Sequence, residues 1–302
     1  MANSAASDMI LRVKNWNPEE VAFGPARPTK AGGKSIPLLH NGQKIVLQFP
    51  KHSTYGLAGM TPPNEPDGPR KYSVNLKLTN GSPLCDKLRQ LEDLVVKHIT
   101  AHGGELLGQA GQPEAVIKAL SYPIVKYPKD KDTGKVYYDR DPTTKLKVSY
   151  WEGVWRLELF DSEGKTLFEP KMMTPLVPED PDSEMVPVDP TDPELAPSGT
   201  EMVGLMQCDG IWIASGRFGV TWRLLQAQLK QPVRISGFCI QPESDDEDAD
   251  EGQNTGAAPV TEAAPAEDGA ADGDEDDNAE AEVEEEEPAP KPKAKRARKK
   301  AN

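Results

Sequence analysis

Cations and flat aromatic rings alternate through two stretches of this chain, and that mixture suits one kind of chemistry. The first stretch runs Lys126-Tyr127-Pro-Lys129-Asp-Lys131-Asp-Thr-Gly-Lys135-Val-Tyr137-Tyr138, and Lys145, Lys147, Tyr150, Trp151, Trp155 and Arg156 follow it. The second holds Trp212, Arg217, Phe218, Trp222, Arg223, Lys230 and Arg234, with Asp209 as the one acid between Val203 and Gln241. A single-stranded nucleic acid needs both residue types. Cations neutralise phosphates and release counterions, and flat rings stack on unpaired bases. The same residues are good strand formers, so about half of the aromatics are expected to serve the core. The candidate contact residues are Lys126, Tyr127, Lys129, Lys131, Lys135, Tyr138, Lys145, Lys147, Trp151, Trp212, Arg217, Trp222 and Arg223.

Templates for catalysis are empty. The chain has no phosphate-binding Walker loop, no GxSxG, no HExxH and no dinucleotide fingerprint. Four histidines fall within the first 102 residues, and His98 and His102 share an i, i+4 spacing. With no third ligand nearby, they read as residues favoured by a helix C-terminal dipole. Cys85, Cys208 and Cys239 are far apart and form no zinc pattern, which predicts reduced thiols. The expectation is a protein that is not an enzyme and holds no metal or cofactor.

Charge is segregated along the chain. Of 49 acidic and 35 basic residues, 21 and 7 lie in residues 243–302, which leaves 28 of each sign before them. The net charge of −14 therefore belongs to the tail, and the body is formally neutral. All seven tail cations, Lys291, Lys293, Lys295, Arg296, Arg298, Lys299 and Lys300, close the chain and suit nuclear import. The tail has no aromatic residue and too little apolar surface to fold, so a disordered acidic tail is expected at 243–302. Tethered near a basic groove, such a tail competes with nucleic acid or is offered to replication partners.

The elements that must position these residues are mainly β. Leu38-Leu-His-Asn41-Gly42-Gln-Lys44 places an Asn-Gly turn between two apolar-bearing runs, a hairpin signal. Tyr72, Val74, Leu76 and Leu78 alternate on one face of a strand over 71–78. One long helix follows, with Ser82 as cap, Pro83 in the first turn, an apolar row of Leu84, Leu88, Leu91 and Val95, and Gly103-Gly104 as stop. A second, shorter helix fits 113–120. Strands resume as a tyrosine-rich hairpin turning at 132–134, then over 145–150, 155–160 and 165–168. Residues 172–201, rich in proline and acid, read as a long exposed loop or disordered insertion. Strands return over 201–240. This pattern predicts one domain over residues 1–242, a partly open β-barrel with one prominent helix, and does not separate an OB-fold from other five- to eight-stranded solutions.

Three pieces carry a resemblance: Pro123-Ile-Val-Lys-Tyr-Pro-Lys-Asp-Lys-Asp-Thr-Gly-Lys135, Leu159-Phe-Asp-Ser-Glu-Gly-Lys165, and Gln207-Cys-Asp-Gly-Ile-Trp212 with Gly216-Arg-Phe-Gly-Val-Thr-Trp-Arg223. Together they resemble the single-stranded-DNA-binding proteins of large nucleocytoplasmic DNA viruses. That family is similar in turn to acidic-tailed phage replication proteins. The likeness covers about residues 70–235 and rests chiefly on the last motif. It implies an OB-fold with a helix on the barrel, binding single strands without sequence preference in viral replication, recombination or repair. It implies no catalytic residue. The tail departs from the phage pattern, which stays acidic to the end and closes on an aromatic.

Two further functions remain open on sequence. An acidic tail as the binding surface describes a histone or basic-protein chaperone, and a stacking groove serves RNA as well as DNA. No apolar run approaches the roughly 20 residues of a membrane helix, and no secretory leader is visible at the first residues, so an intracellular site in the host nucleus or at viral replication is expected.

Overall fold

Alternation of apolar and polar residues over long runs builds the architecture. The computed structural model describes residues 9–30, 32–60, 71–151, 154–175, 184–188 and 196–232. Five strands form a ring: β1 (Val46–Met60), β2 (Lys71–Lys77), β3 (Thr143–Val148), β4 (Glu201–Ala214) and β5 (Arg217–Lys230). β1 lies antiparallel between β2 and β4, β3 is antiparallel to β2, and β4 and β5 form a long antiparallel hairpin. A parallel contact of β3 with β5 closes the order β1-β2-β3-β5-β4-β1. This is the strand order of a partly open OB-type barrel.

Each strand faces inward for a reason visible in its residues. Val74 and Leu76 of β2 and Thr144, Leu146 and Val148 of β3 are buried, while Asn75, Lys145 and Lys147 alternate outward. The two 14-residue strands of the hairpin are too long to stay with one neighbour. Bulges at Leu205/Met206 and Cys208/Gly210 bend the pair. β4 accordingly leaves β1 after Gln207 and takes Lys34–Ile36 as its partner from Ile211. Gly210 permits the change, because its φ is +106° and a Cβ there would collide with the Ile36 carbonyl oxygen. The hairpin turns at Ser215 and Gly216, both with positive φ as a type I′ turn requires. Asn41 and Gly42 do the same between Leu38–His40 and Gln43–Lys44, as the dipeptide predicts.

Helix α1 (Pro83–Ala101) starts where expected, with Ser82 Oγ accepting from the Cys85 N–H at 3.4 Å. Leu84, Leu88, Leu91 and Val95 are buried, joined by Cys85, Val96 and Ile99. It ends one residue before His102, and Gly103 opens a separate turn, Gly103–Leu106, instead of serving as the stop. Helix α2 (Glu114–Leu120) packs beside α1. The N-terminal segment is part of the same body. Ile10–Arg12 runs parallel to β1, and Trp16 is fully buried. Lys87 of α1 pins it by donating to the carbonyls of Val13 (2.7 Å), Lys14 (3.2 Å) and Trp16.

Two expectations need correction. The strand foreseen over 155–160 is broken: Val154–Trp155 pairs with Tyr150–Trp151, whereas Glu158–Phe160 pairs with β5. The segment 172–201 is not wholly an exposed loop. Met173–Pro175 pairs with Met185–Pro187, and Ala196 and Thr200 are buried. The cause lies in β1, whose irregularity around Gly56 frees backbone groups from the ladder. The Thr54 N–H donates to the Thr200 carbonyl at 2.9 Å, the Leu57 N–H to that of Ala196 at 3.2 Å, and the Gly199 N–H to that of Thr54 at 2.9 Å. Residues 243–302, including the acidic run and the terminal cations, lie outside the described residues.

Candidate nucleic-acid interface

The ring is stitched thinly between β3 and β5. Lys147 opposite Arg223 is their one shared register position among the described residues. Further along the same edge of β5, Ser121–Tyr122 pairs in parallel with Phe218 and Gly219. Between these two attachments, Val220, Thr221 and Trp222 have no ladder partner on that edge among the described residues. They form the floor of a shallow groove. Lys145 and Lys147 stand along one wall, and Tyr122, Pro123, Ile124 and Lys126 along the other.

Local structure fixes each wall. The outward phase of β3 sets Lys145 and Lys147 because Thr144, Leu146 and Val148 claim the interior. Lys126 and Thr143 exchange both backbone hydrogen bonds at 2.8 Å, which holds Lys126 at the entry of β3. Its ammonium donates to the Tyr122 hydroxyl at 2.9 Å and lies 4.3 Å from that ring's centroid. Behind this wall, the Glu92 carboxylate of α1 accepts from the Val125 N–H at 3.5 Å. Burial pushes the Glu92 carboxyl up to about 7, against the lowering effect of the Val125 and Ile124 N–H groups. Three of the candidate residues, Lys126, Lys145 and Lys147, thus converge on one groove with an uncharged floor.

Arg223 stands at the end of this groove and is oriented by an acid. Its Nε and Nη2 donate to Asp209 Oδ2 at 3.1 and 2.8 Å, while Gln207 Nε2 donates to Oδ1 at 3.2 Å. The Arg223 and Asp209 side chains are 15% and 17% exposed. Arg217 is exposed beside the β4–β5 turn.

The two tryptophans of the list are corrected here. Trp212 and Trp222 are only 3% and 2% exposed, so neither ring presents a face for a base. Trp222 meets Trp16 edge-on at 6.1 Å inside the barrel. Trp212 lies against Gly219, where an added Cβ would sit 2.9 Å from its Cζ2. Trp222 joins the hydrophobic core, whereas Trp212 lies on the face of β4 opposite to Ile211 and Ile213 and is covered by Gly219 and by Tyr122, 6.2 Å away centroid to centroid. The Trp151 side chain lies outside the described residues.

The remaining candidates form a separate cationic loop over 126–141. Asp130 ties its turn together, accepting from the Thr133 N–H and hydroxyl (both 2.8 Å), the Asp132 N–H (3.2 Å) and the Tyr137 hydroxyl (2.8 Å). These bonds, that of the Thr133 N–H foremost, hold the Asp130 carboxyl down to about 2. Lys129 bridges Val136, and the exposed Lys131 and Lys135 flank Gly134 at a φ of 67°. Tyr138 is 67% exposed, with Tyr127 5.1 Å away centroid to centroid. Asn80 anchors both, accepting from the Tyr127 hydroxyl at 3.0 Å and donating to the Tyr138 carbonyl at 2.8 Å. Asp141 accepts from the Asn80 N–H at 2.9 Å. Asp130 and Asp141, which dilute the basic pattern in the sequence, are engaged in holding the loop's shape.

No family model matches the chain, and no curated protein is similar to it. The solved structures similar to it include the single-stranded DNA-binding protein from bacteriophage Enc34 in complex with ssDNA. That structure is 13% identical at a TM-score of 0.33, with 71% of this chain and 98% of that chain covered. A second structure of that protein is 14% identical at a TM-score of 0.31, with 75% and 99% covered. At these values the likeness transfers neither a residue nor an activity. Neither family models nor curated sequences support an assignment to large nucleocytoplasmic viruses.

Sequence reasoning missed several members of this surface. Tyr122 carries no signal, since only the pairing of Ser121–Tyr122 with β5 brings it to the groove. Lys77 was legible: it shares the outward phase of β2, opposite Thr143. Elsewhere, His98 stacks on Phe23 at 3.9 Å, and burial together with His102 holds its imidazole below the usual range. Cys85 and Cys208 are buried, and burial pushes the Cys208 thiol up to about 12. Among the described residues no three His, Cys, Asp or Glu side chains gather as metal ligands, and no helix is long and apolar enough to cross a membrane.

Proposed function

We propose that this protein binds single-stranded DNA without catalysing a reaction, in replication, recombination or repair of viral DNA. The observation that carries the proposal is the convergence of Lys126, Lys145 and Lys147 on the open seam of an OB-type barrel. The strand 2–3 face of this architecture is a general oligonucleotide-binding surface. Backbone phosphates meet the lysine walls, and unpaired bases reach the floor at Val220 and Thr221, which a duplex keeps out of reach. Tyr138 and the lysines at 129, 131 and 135 extend the cationic track beside it. In this reading the acidic tail competes for the groove and engages replication partners, and the terminal cations direct the protein to the nucleus.

Titration with oligo-dT, an equal-length duplex and the matching oligo-rU at several salt concentrations tests the reading. Preferential, salt-dependent binding of the single strand supports it, and equal affinity for the duplex sinks it. Stronger rU than dT binding would convert it to RNA recognition. Truncation after Gln241 should tighten DNA binding at low salt. Histone binding that disappears with the tail, without DNA binding by the body, would favour the chaperone function.

A further inference from the structure

The interface does not end at the groove. Tyr55, on β1, is 56% exposed, one of the two most exposed aromatic rings among the described residues. A tyrosine in the middle of a long strand normally turns its ring to the core, and its neighbours Thr54 and Leu57 are indeed buried. Tyr55 instead lies on the outer face, with the Lys77 ammonium 4.2 Å from its ring centroid.

Register places this pair on the same surface as the lysine wall. Thr54 stands opposite Leu76, and Lys77 stands opposite Thr143. Lys77 therefore lies beside Thr143, and Tyr55 lies diagonally across the β1–β2 pair from Lys77, next to the row of Asn75 and Lys145. Lys145 is the next outward position along β3, and Lys147 marks the seam. Adjacent strands are about 4.8 Å apart and outward positions recur about every 6.7 Å, which puts Tyr55 roughly 10–15 Å from Lys145. Such a path crosses the strands and fits within the roughly 4–16 nucleotides that one OB fold covers.

Resting on the single-strand reading above, we infer that Tyr55 and Lys77 form a second base-stacking subsite at the far end of this path. Lys77 covers one side of the ring, and the exposed remainder receives an unpaired base. The same ammonium lies within reach of the adjoining phosphate. The ligand class is a nucleobase of a strand that already occupies the groove, so the subsite matters for long oligomers and not for short ones. Neither Tyr55 nor Lys77 belongs to the cation-aromatic stretches that mark the groove in sequence, and only the β1–β2 pairing adds them to it.

Photocrosslinking of the full-length protein to 5-iodouracil-substituted oligo-dT provides the test. Trypsin releases residues 52–70, in which Tyr55 is the one aromatic ring other than histidine, and residues 119–126, in which Tyr122 is the one aromatic ring. The expected result is a crosslink at Tyr55 with a long oligomer. Tyr55→Ala should weaken that oligomer roughly five- to hundredfold. Tyr55→Phe should stay near wild type, and the shortest oligomer that binds should be unaffected by either change. An exposed ring makes loss of fold an improbable cause, and an unchanged circular-dichroism melt excludes it. A crosslink at Tyr122 without one at Tyr55, with Tyr55→Ala binding unchanged, overturns this subsite and leaves the groove standing. Absence of any single-strand binding overturns both.

Discussion

Lys147 of β3 stands opposite Arg223 of β5 at the one register position, among the described residues, where those two strands pair. The neighbouring edge of β5 is left open to form the groove floor, and the side chains at the junction are both cationic. Opening of the ring and concentration of positive charge therefore occur at the same place.

Replacing Lys126, Lys145 and Lys147 together by Ala removes three phosphate partners. With about 0.7 counterions released per phosphate on a single strand, the slope of log K against log salt should become shallower by about 2. Fluorescence titration with oligo-dT from 50 to 300 mM NaCl reads the slope. An unchanged slope would mean that the strand lies elsewhere.

Trp222 acts through the core. Trp222→Ala removes a buried indole that packs on Trp16, and should cost about 3–5 kcal/mol of stability by urea denaturation. Under conditions where the variant remains folded, oligo-dT affinity should fall far less than it does for the lysine triple. A large affinity loss in a protein of wild-type stability would restore Trp222 as a stacking residue.

Asp209 holds Arg223 and also places a negative charge at the groove end. Asp209→Asn should reduce stability by about 1–3 kcal/mol, since it weakens a largely buried charge-assisted pair. Without that acid, low-salt DNA affinity should rise. The two effects have opposite signs, and denaturation with binding titration on one preparation separates them.

Glu92 confers a pH dependence on the wall behind the groove. Burial raises its carboxyl from 4.5 to about 7, with Asp93 raising it further and Lys118 and the Val125 and Ile124 N–H groups opposing. A raised folded-state pKa means that its contribution is fully present below 4.5 and is lost as pH rises through 7. Glu92→Gln should therefore match wild type near pH 4.5 and exceed it at pH 8. The shift corresponds to on the order of 3 kcal/mol at most. Thermal melts of both proteins from pH 4.5 to 8.5 check this, and parallel curves would refute it.

Much of the frame was legible because local rules and the tertiary fold agree. The alternation of β2, the capped amphipathic α1 and the Asn41-Gly42 turn each satisfy a short-range requirement that packing then reinforces. The outward direction of the candidate lysines was legible for the same reason: Lys145 and Lys147 take the outward phase of a strand whose other phase, Thr144, Leu146 and Val148, is buried. The tryptophans misled because composition marks a ring without its direction. Trp222 takes the inward phase of β5, and Trp212 is covered by Tyr122, which only the pairing of Ser121–Tyr122 with β5 brings to it.

By itself the sequence determined the residue types, their phase within each strand, the segregation of charge into the tail and the mainly β character of the body. These follow from forces acting over a few residues: backbone propensity, burial of one face, and capping. Only the tertiary structure decided that Tyr122 reaches the β5 edge, that Asp209 holds Arg223, that Ala196 and Thr200 dock on β1, and that Tyr55 faces outward beside Lys77. Each depends on strands far apart in the chain meeting in one register, and backbone hydrogen bonding across the ring selects that register.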